Sequence, residues 1–166
     1  MQFSVFKHNN KAKTKIDIVE AFNIWNLLDT RYISILNHQF LSNLVHDRDL
    51  LVLLDNHIKH FQAQAKDLED EAIKYKVKAP SRTPVQIRFS TQVDQISDKF
   101  IFDLIITEMR AELYALKRAV TSTTTNDYLR NIITKHMLDH INDYKIFFKY
   151  GKFKGWTKIV PIYRES

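Results

Sequence analysis

Glu108 and Glu112 sit four residues apart in one long run, and His136 and His140 sit four apart in the next. Residues at this spacing share a helix face. Antiparallel packing of the two runs would therefore set carboxylates and imidazoles at matching heights. Carboxylate oxygens and neutral imidazole nitrogens are the ligands that iron, manganese and zinc take from proteins. His57, beside the apolar seam of an earlier helix, is a fifth candidate ligand. The same side chains have a structural alternative. A carboxylate can orient a buried imidazole while each satisfies the other's polar atoms. That satisfied-pair reading is the favoured one, a divalent metal the second, and metal-free acid–base chemistry a distant third. In every case a buried Glu112 needs a partner, because an unpaired carboxylate in the interior is costly. Other catalytic patterns are missing: there is no Gly-rich phosphate loop, no nucleophile elbow and no His-Glu-x-x-His.

The elements that must position these residues follow from composition and periodicity. The 166 residues include only 2 Gly, 3 Pro and no Cys. Scarce turn residues call for long segments, which favours an all-α bundle over a sandwich or barrel. Without Cys there is no disulfide framework, thiolate nucleophile or Cys-ligated zinc. A first helix is expected after a capping-box-like Thr14-Lys15-Ile16-Asp17 and runs to about Val45. Ile18, Ala21, Ile24, Trp25, Leu28, Tyr32, Ile35 and Leu36 form its apolar stripe, with Asp29 at the edge. A second, N-capped by Asp47, runs to about Tyr75 on a seam of Leu51, Leu54, Ile58, Phe61, Ala65, Leu68 and Ala72, with His60 pointing away. A third is expected from a second capping-box-like stretch, Thr91-Gln92-Val93-Asp94, to about Val120. Glu112 falls near the middle of its stripe and Glu108 on the edge. The fourth starts at Thr124-Thr125-Asn126-Asp127 and runs to about Tyr150, with Gly151 as the expected stop. Its stripe places His140 centrally and His136 at the edge.

Between the second and third helices, Lys78-Ala79-Pro80-Ser81-Arg82-Thr83-Pro84 cannot continue a helix, and Val85 to Phe89 alternates over too short a run for a sheet. About 16 extended residues span ~50 Å, more than the ~45 Å of a 30-residue helix. One long crossover between the second and third helices is therefore expected, the topology of a ferritin-like four-helix bundle. The strict two-metal pattern of such bundles, Glu on two helices and Glu-x-x-His on the other two, is absent. The chain reads as one domain over 1–166, with an N-terminal arm over 1–13 and an aromatic tail over 152–166 that packs back on the bundle.

The formal net charge is +6, with lysines biased toward both ends. Lys145, Lys149, Lys152, Lys154 and Lys158 interleave with Tyr150, Phe153 and Trp156, a pattern that could serve RNA by stacking and phosphate contact. A solvated surface is the favoured reading, and a nucleic acid or anionic partner the alternative. The start lacks a signal-peptide apolar run, and no apolar stretch approaches the roughly 20 residues needed to span a bilayer. A soluble, cytoplasmic protein is the expectation.

Several stretches also resemble a known group. Ala21-Phe22-Asn23-Ile24-Trp25-Asn26-Leu27-Leu28 with Arg31-Tyr32, Thr123-Thr124-Thr125-Asn126-Asp127-Tyr128-Leu129-Arg130, and Tyr150-Gly151-Lys152-Phe153-Lys154-Gly155-Trp156 with Pro161-Ile162-Tyr163 resemble an uncharacterised ferritin-like family of endospore-forming bacteria, related to the spore coat protein F family. The resemblance runs over roughly residues 17 to 163, as one copy of a unit that is often duplicated. It implies a ferritin-like four-helix bundle and spore association, and it carries over no activity and no catalytic residue. The resulting expectation is a non-enzymatic bundle, spore- or stress-associated, that acts by self-association such as dimerisation and needs no cofactor. The alternatives are an iron, manganese or zinc carboxylate–histidine protein held by Glu108, Glu112, His136, His140 and His57, and a binder of nucleic acid or anionic surfaces.

Overall fold

A computed structural model describes residues 15–82 and 96–163. Four helices account for most of them: α1 (Ile18–Ser42), α2 (Arg48–Tyr75), α3 (Asp98–Ser122) and α4 (Asp127–Phe153). No strand occurs among the described residues, and no helix of theirs is long and apolar enough to cross a membrane.

Each helix starts where a side chain can accept its free amides. Asp17 N-caps α1 and forms a reciprocal capping box with Glu20, so the cap is Asp17 itself, three positions beyond the Thr14 expected from sequence. Asp47, Ser97 and Asn126 cap α2, α3 and α4. The Thr91–Asp94 stretch expected to open the third helix, like the 1–13 arm and Val85–Phe89, lies outside the described residues. The α1 helix ends at Ser42, short of Val45.

Contacts at the two ends fix the topology. Glu20, at the start of α1, accepts hydrogen bonds from the Thr125 and Asn126 amides, and Tyr75, at the end of α2, accepts one from Asn126. At the opposite end Asp98, opening α3, accepts from the His46 and Asp47 amides of the α1–α2 turn. Thus α2 ends at one end of the bundle and α3 begins at the other. The α2–α3 connection therefore joins opposite ends of the bundle, and α2 and α3 run parallel. The α1–α2 and α3–α4 pairs are antiparallel, and α1 also packs on α3 and α2 on α4. This is the four-helix bundle with one long crossover that the sequence predicts.

The apolar core comes in two parts. One gathers Ile24, Leu28, Leu68, Leu116 and Ile133 toward the α3–α4 turn. The other gathers Leu50, Leu54, Phe102, Ile105 and Phe147 toward the α1–α2 turn. Leu50, not Leu51, is the fully buried member of the seam. Trp25, expected on the stripe of α1, is 40 % exposed.

The end of α4 differs from expectation. Gly151 does not stop the helix: it is buried within it, and α4 continues to Phe153. The terminator is Gly155, at φ +70°. The Trp156 amide donates to the Gly151 carbonyl at 2.8 Å and the Gly155 amide to the Lys152 carbonyl at 3.1 Å, a Schellman closure that needs a left-handed residue. Gly151 is small for a different reason: a Cβ there would press on the Phe102 ring and the Thr157 hydroxyl. Of the tail, Trp156 packs on Phe102 and Tyr150, whereas Ile159, Val160, Ile162 and Tyr163 stand exposed.

Gly151→Ala is expected to destabilise the fold. The overpacking cost, about 1–3 kcal/mol, outweighs the ~1 kcal/mol gained in helix propensity. A urea-unfolding midpoint at or above that of the parent would show that Phe102 swings aside freely.

Candidate functional site

Between the two apolar clusters lies a belt of buried polar side chains supplied by all four helices. The α1 helix gives Arg31, Ser34 and His38, spaced three and four apart so that they share one face. The α2 helix gives His57 and Gln64, α3 gives Glu112 with Glu108 at its edge, and α4 gives His136, His140 and Asp143.

Arg31, 1 % exposed, is the belt's cation. Its Nη1 lies 3.0 Å from Glu112 Oε2, and its guanidinium carbon lies 4.9 Å from the centre of the Phe61 ring. The Arg31–Glu112 contact is one of charge more than alignment, since neither atom is in a well-directed hydrogen bond. Ser34 Oγ lies 2.5 Å from Glu112 Oε1 and 2.9 Å from Glu108 Oε1. One hydroxyl carries one proton, so both contacts are hydrogen bonds only if a carboxyl supplies the second. Glu108 is the group suited to it: burial, and then the Glu112 charge one turn away, push its carboxyl up to about 7. When Glu108 is protonated, it donates to Ser34 and Ser34 donates to ionised Glu112.

Carbonyl partners assign the histidine tautomers. His38 Nδ1 faces the Ser34 carbonyl at 3.0 Å and must donate to it. Burial holds His38 neutral by lowering its ring to about 4, so its Nε2 is a bare acceptor. His57 Nδ1, 3.1 Å away, therefore donates to it. His140 Nε2 donates to the Met109 carbonyl at 2.9 Å, and its Nδ1 faces Glu112 Oε2 at 3.3 Å. Burial also lowers His57, His136 and His140, with His38 and His140 adding to the effect at His57. All four rings are uncharged at neutral pH. His60, on the surface side, closes the row by donating from Nδ1 to Asp143 at 2.8 Å.

Of the candidate ligands, the structure brings together Glu112 and His140, joins Glu108 to them through Ser34, and sets His57 with its ring centre 5.7 Å from that of His140. His136 goes elsewhere: its Nε2 lies 3.0 Å from Asp67 on α2. Arg31, Ser34, His38 and Asp143 belong to the same belt, and sequence reasoning missed them. The available signal was the three–four spacing of Arg31, Ser34 and His38 on a helix whose neighbours are apolar.

The donor set does not fit the two-metal centre of a ferritin-like bundle, which needs carboxylates from all four helices. Here α1 offers none to the belt, and a guanidinium stands against Glu112. Among the described residues, no three His or acidic side chains are placed to hold one metal ion.

The fold defines an all-α four-helix bundle with a buried polar belt. No protein-family model matches the chain, and no curated protein matches it in sequence. Two solved structures are similar. One, from Bacillus halodurans, carries the provisional name spore coat protein and aligns with a TM-score of 0.82 over 91 % of this chain and 97 % of its own, at 20 % identity. The other, a conserved hypothetical protein from Mycobacterium tuberculosis, aligns with a TM-score of 0.67 over 88 % of this chain and 97 % of its own, at 13 % identity. These likenesses establish a shared fold.

Two predictions follow from the belt's charges. Arg31→Met leaves a buried carboxylate uncompensated and is expected to cost about 3–5 kcal/mol, whereas adding Glu112→Gln should return most of that loss. Urea unfolding of the single and double variants checks it, and equal stability of the two would mean the charges are not coupled. The second concerns pH. A lowered histidine pKa means that the unfolded chain binds more protons than the folded one below about 6.5, so stability falls as pH drops through that window. His38 alone accounts for about 3 kcal/mol by pH 4. Glu108, raised to about 7, acts oppositely: its share of stability falls as pH rises from 4.5 toward 7. Four histidines outweigh one glutamate, so the melting temperature should drop from pH 7 to pH 5 and drop further in Glu108→Gln. A flat profile would contradict the buried, neutral histidines.

Proposed function

We propose that this protein is a non-enzymatic structural bundle associated with the endospore, and that its polar belt is an internal charge balance and not a reaction centre. Arg31 carries the reading. Where a carboxylate–histidine bundle would use an exchangeable metal as its positive charge, this chain has a guanidinium built in, 3.0 Å from Glu112 and stacked near Phe61. A permanently charged side chain needs no cofactor and gains none. The likeness in fold to the Bacillus halodurans protein named for the spore coat supports the setting, as does the resemblance of the run from Asn126 through Leu129-Arg130 and Tyr150-Gly151 to Gly155-Trp156 to the spore coat protein F family.

A second reading rests on the belt's surplus of acceptors. His57 Nε2, His140 Nδ1, His136 Nδ1, Gln64 Oε1 and Glu112 Oε2 are buried with no aligned donor, against two free donor nitrogens on Arg31. Bare imidazole nitrogens whose other N–H is anchored are also how metal-binding histidines are prepared. Under this reading His57, His140 and Glu112 would have to draw together around one divalent cation, since among the described residues no three such side chains are placed to hold an ion.

One set of measurements separates the two. Protein purified without a His tag is expected to carry less than about a tenth of a metal equivalent and to melt at the same temperature in chelator, because a bound metal would stabilise the fold by mass action. Stoichiometric metal, with stability lost in chelator, would establish the second reading instead. For the setting, immunoblots of an endospore-forming host should find the protein in coat extracts of purified spores. Confinement to vegetative cytosol would sink the spore assignment.

A further inference from the structure

The side shared by α1 and α3 is unlike the rest of the surface. A groove of about 250 Å³ runs between the two helices, with Thr30 and Ile33 on one wall, Ala111 and Ala115 on the other, and Glu108 at its edge. On α3 the positions Phe100, Leu104, Glu108, Ala111, Ala115 and Arg118 recur three or four apart and so form one stripe. On α1, Val19, Phe22 and Ile33 belong to the facing stripe. All five of the large apolar members are roughly half exposed, and the alanines lower the groove floor enough for another helix to approach.

The charges on this face indicate what covers it. Glu108 is half-buried at the groove yet lacks a cation of its own. Its nearest ion-pair neighbour, His38 at 4.0 Å, is held neutral, and Arg31 is committed to Glu112. Arg118 lies exposed at the other end of the stripe, over the ring of Phe22. Positions 108 and 118 are symmetric about residue 113, and so are positions 111 and 115.

We infer that the α1–α3 face is a two-fold dimer interface, in which the α3 helices of two copies cross antiparallel about residue 113. Ala111 then meets the partner's Ala115, Glu108 meets the partner's Arg118, and each contact occurs twice, as an isologous interface requires. The same axis aligns the apolar residues. Asn23 bonds to Ala119 and Ser122, and Phe22 lies beside Arg118. Phe22 is therefore level with the stretch of α3 whose symmetry mate is the partner's Leu104–Glu108 turn. The inference deepens the self-associating structural reading, but its test does not depend on the spore.

Sedimentation of the full chain at roughly 1–100 µM should show a dimer of the 19.7 kDa protomer. Arg118→Glu, an exposed change, should weaken dimerisation at least about tenfold, and Leu104→Asp should do the same. Glu108→Lys combined with Arg118→Glu should restore it. Because the chain has no Cys, mixing Ala111→Cys with Ala115→Cys protein and oxidising gives a readout free of background: a covalent heterodimer is expected. A monomer at every concentration, a dimer indifferent to both Arg118→Glu and Leu104→Asp, or no cross-link between folded cysteine variants would each overturn the interface. The cross-link does not depend on the Glu108 variant folding. Loss of the dimer with spore fractionation intact would reject the interface alone, and the reverse result would reject only the spore setting.

Discussion

The molecule depends on one buried ion pair. Removing Arg31 and Glu112 from water costs several kcal/mol for each, and their attraction offsets that only while both stay in place and their remaining polar atoms are met. That condition reaches through the bundle. Glu112 must meet the Ser34 hydroxyl and the Arg31 guanidinium of α1 at once, with the His140 ring of α4 lying 3.3 Å away. Apolar side chains tolerate a slide of half a turn far better than this set does. The belt thus sets the register of α1, α3 and α4, while the two apolar clusters on either side supply most of the burial.

Much of the fold was legible because helix periodicity is a local property. The four helices, the short turns at His46–Asp47 and Thr123–Asn126, the long crossover and the inward phase of Glu112 all follow from spacing and capping chemistry. The nearness of Glu112 to His140 was legible for the same reason. Arg31 was not. Beside Tyr32, at the margin of an apolar stripe, an arginine looks like surface, and only a carboxylate some eighty positions away makes its burial tolerable. His38 was hidden because its role depends on the Ser34 carbonyl, which no side-chain pattern reveals. Gly151 was assigned the wrong task because two glycines lie four apart and only the backbone shows which one turns left-handed.

The chemistry available at the belt is conservative. Its histidines are neutral, each anchored by one ring N–H, and its cation is permanent. Such a centre holds its shape. The α3 helix borders both the interior and the surface. Glu112 and Met109 face the interior, while Glu108, one turn before Glu112 on the edge of that face, stands where interior and surface meet.

The turn between α3 and α4 has a further implication. It contains no glycine or proline, and its backbone is held by a carboxylate from elsewhere: Glu20 takes the Thr125 amide, the Thr125 hydroxyl and the Asn126 amide, at 2.8–3.1 Å. The first helix therefore acts as a template for a loop a hundred residues downstream. During synthesis, α1 waits for that loop, and an α3–α4 hairpin made alone lacks the anion that shapes its bend. The α3–α4 hairpin thus closes on α1: its bend is completed by a side chain made about a hundred residues before it.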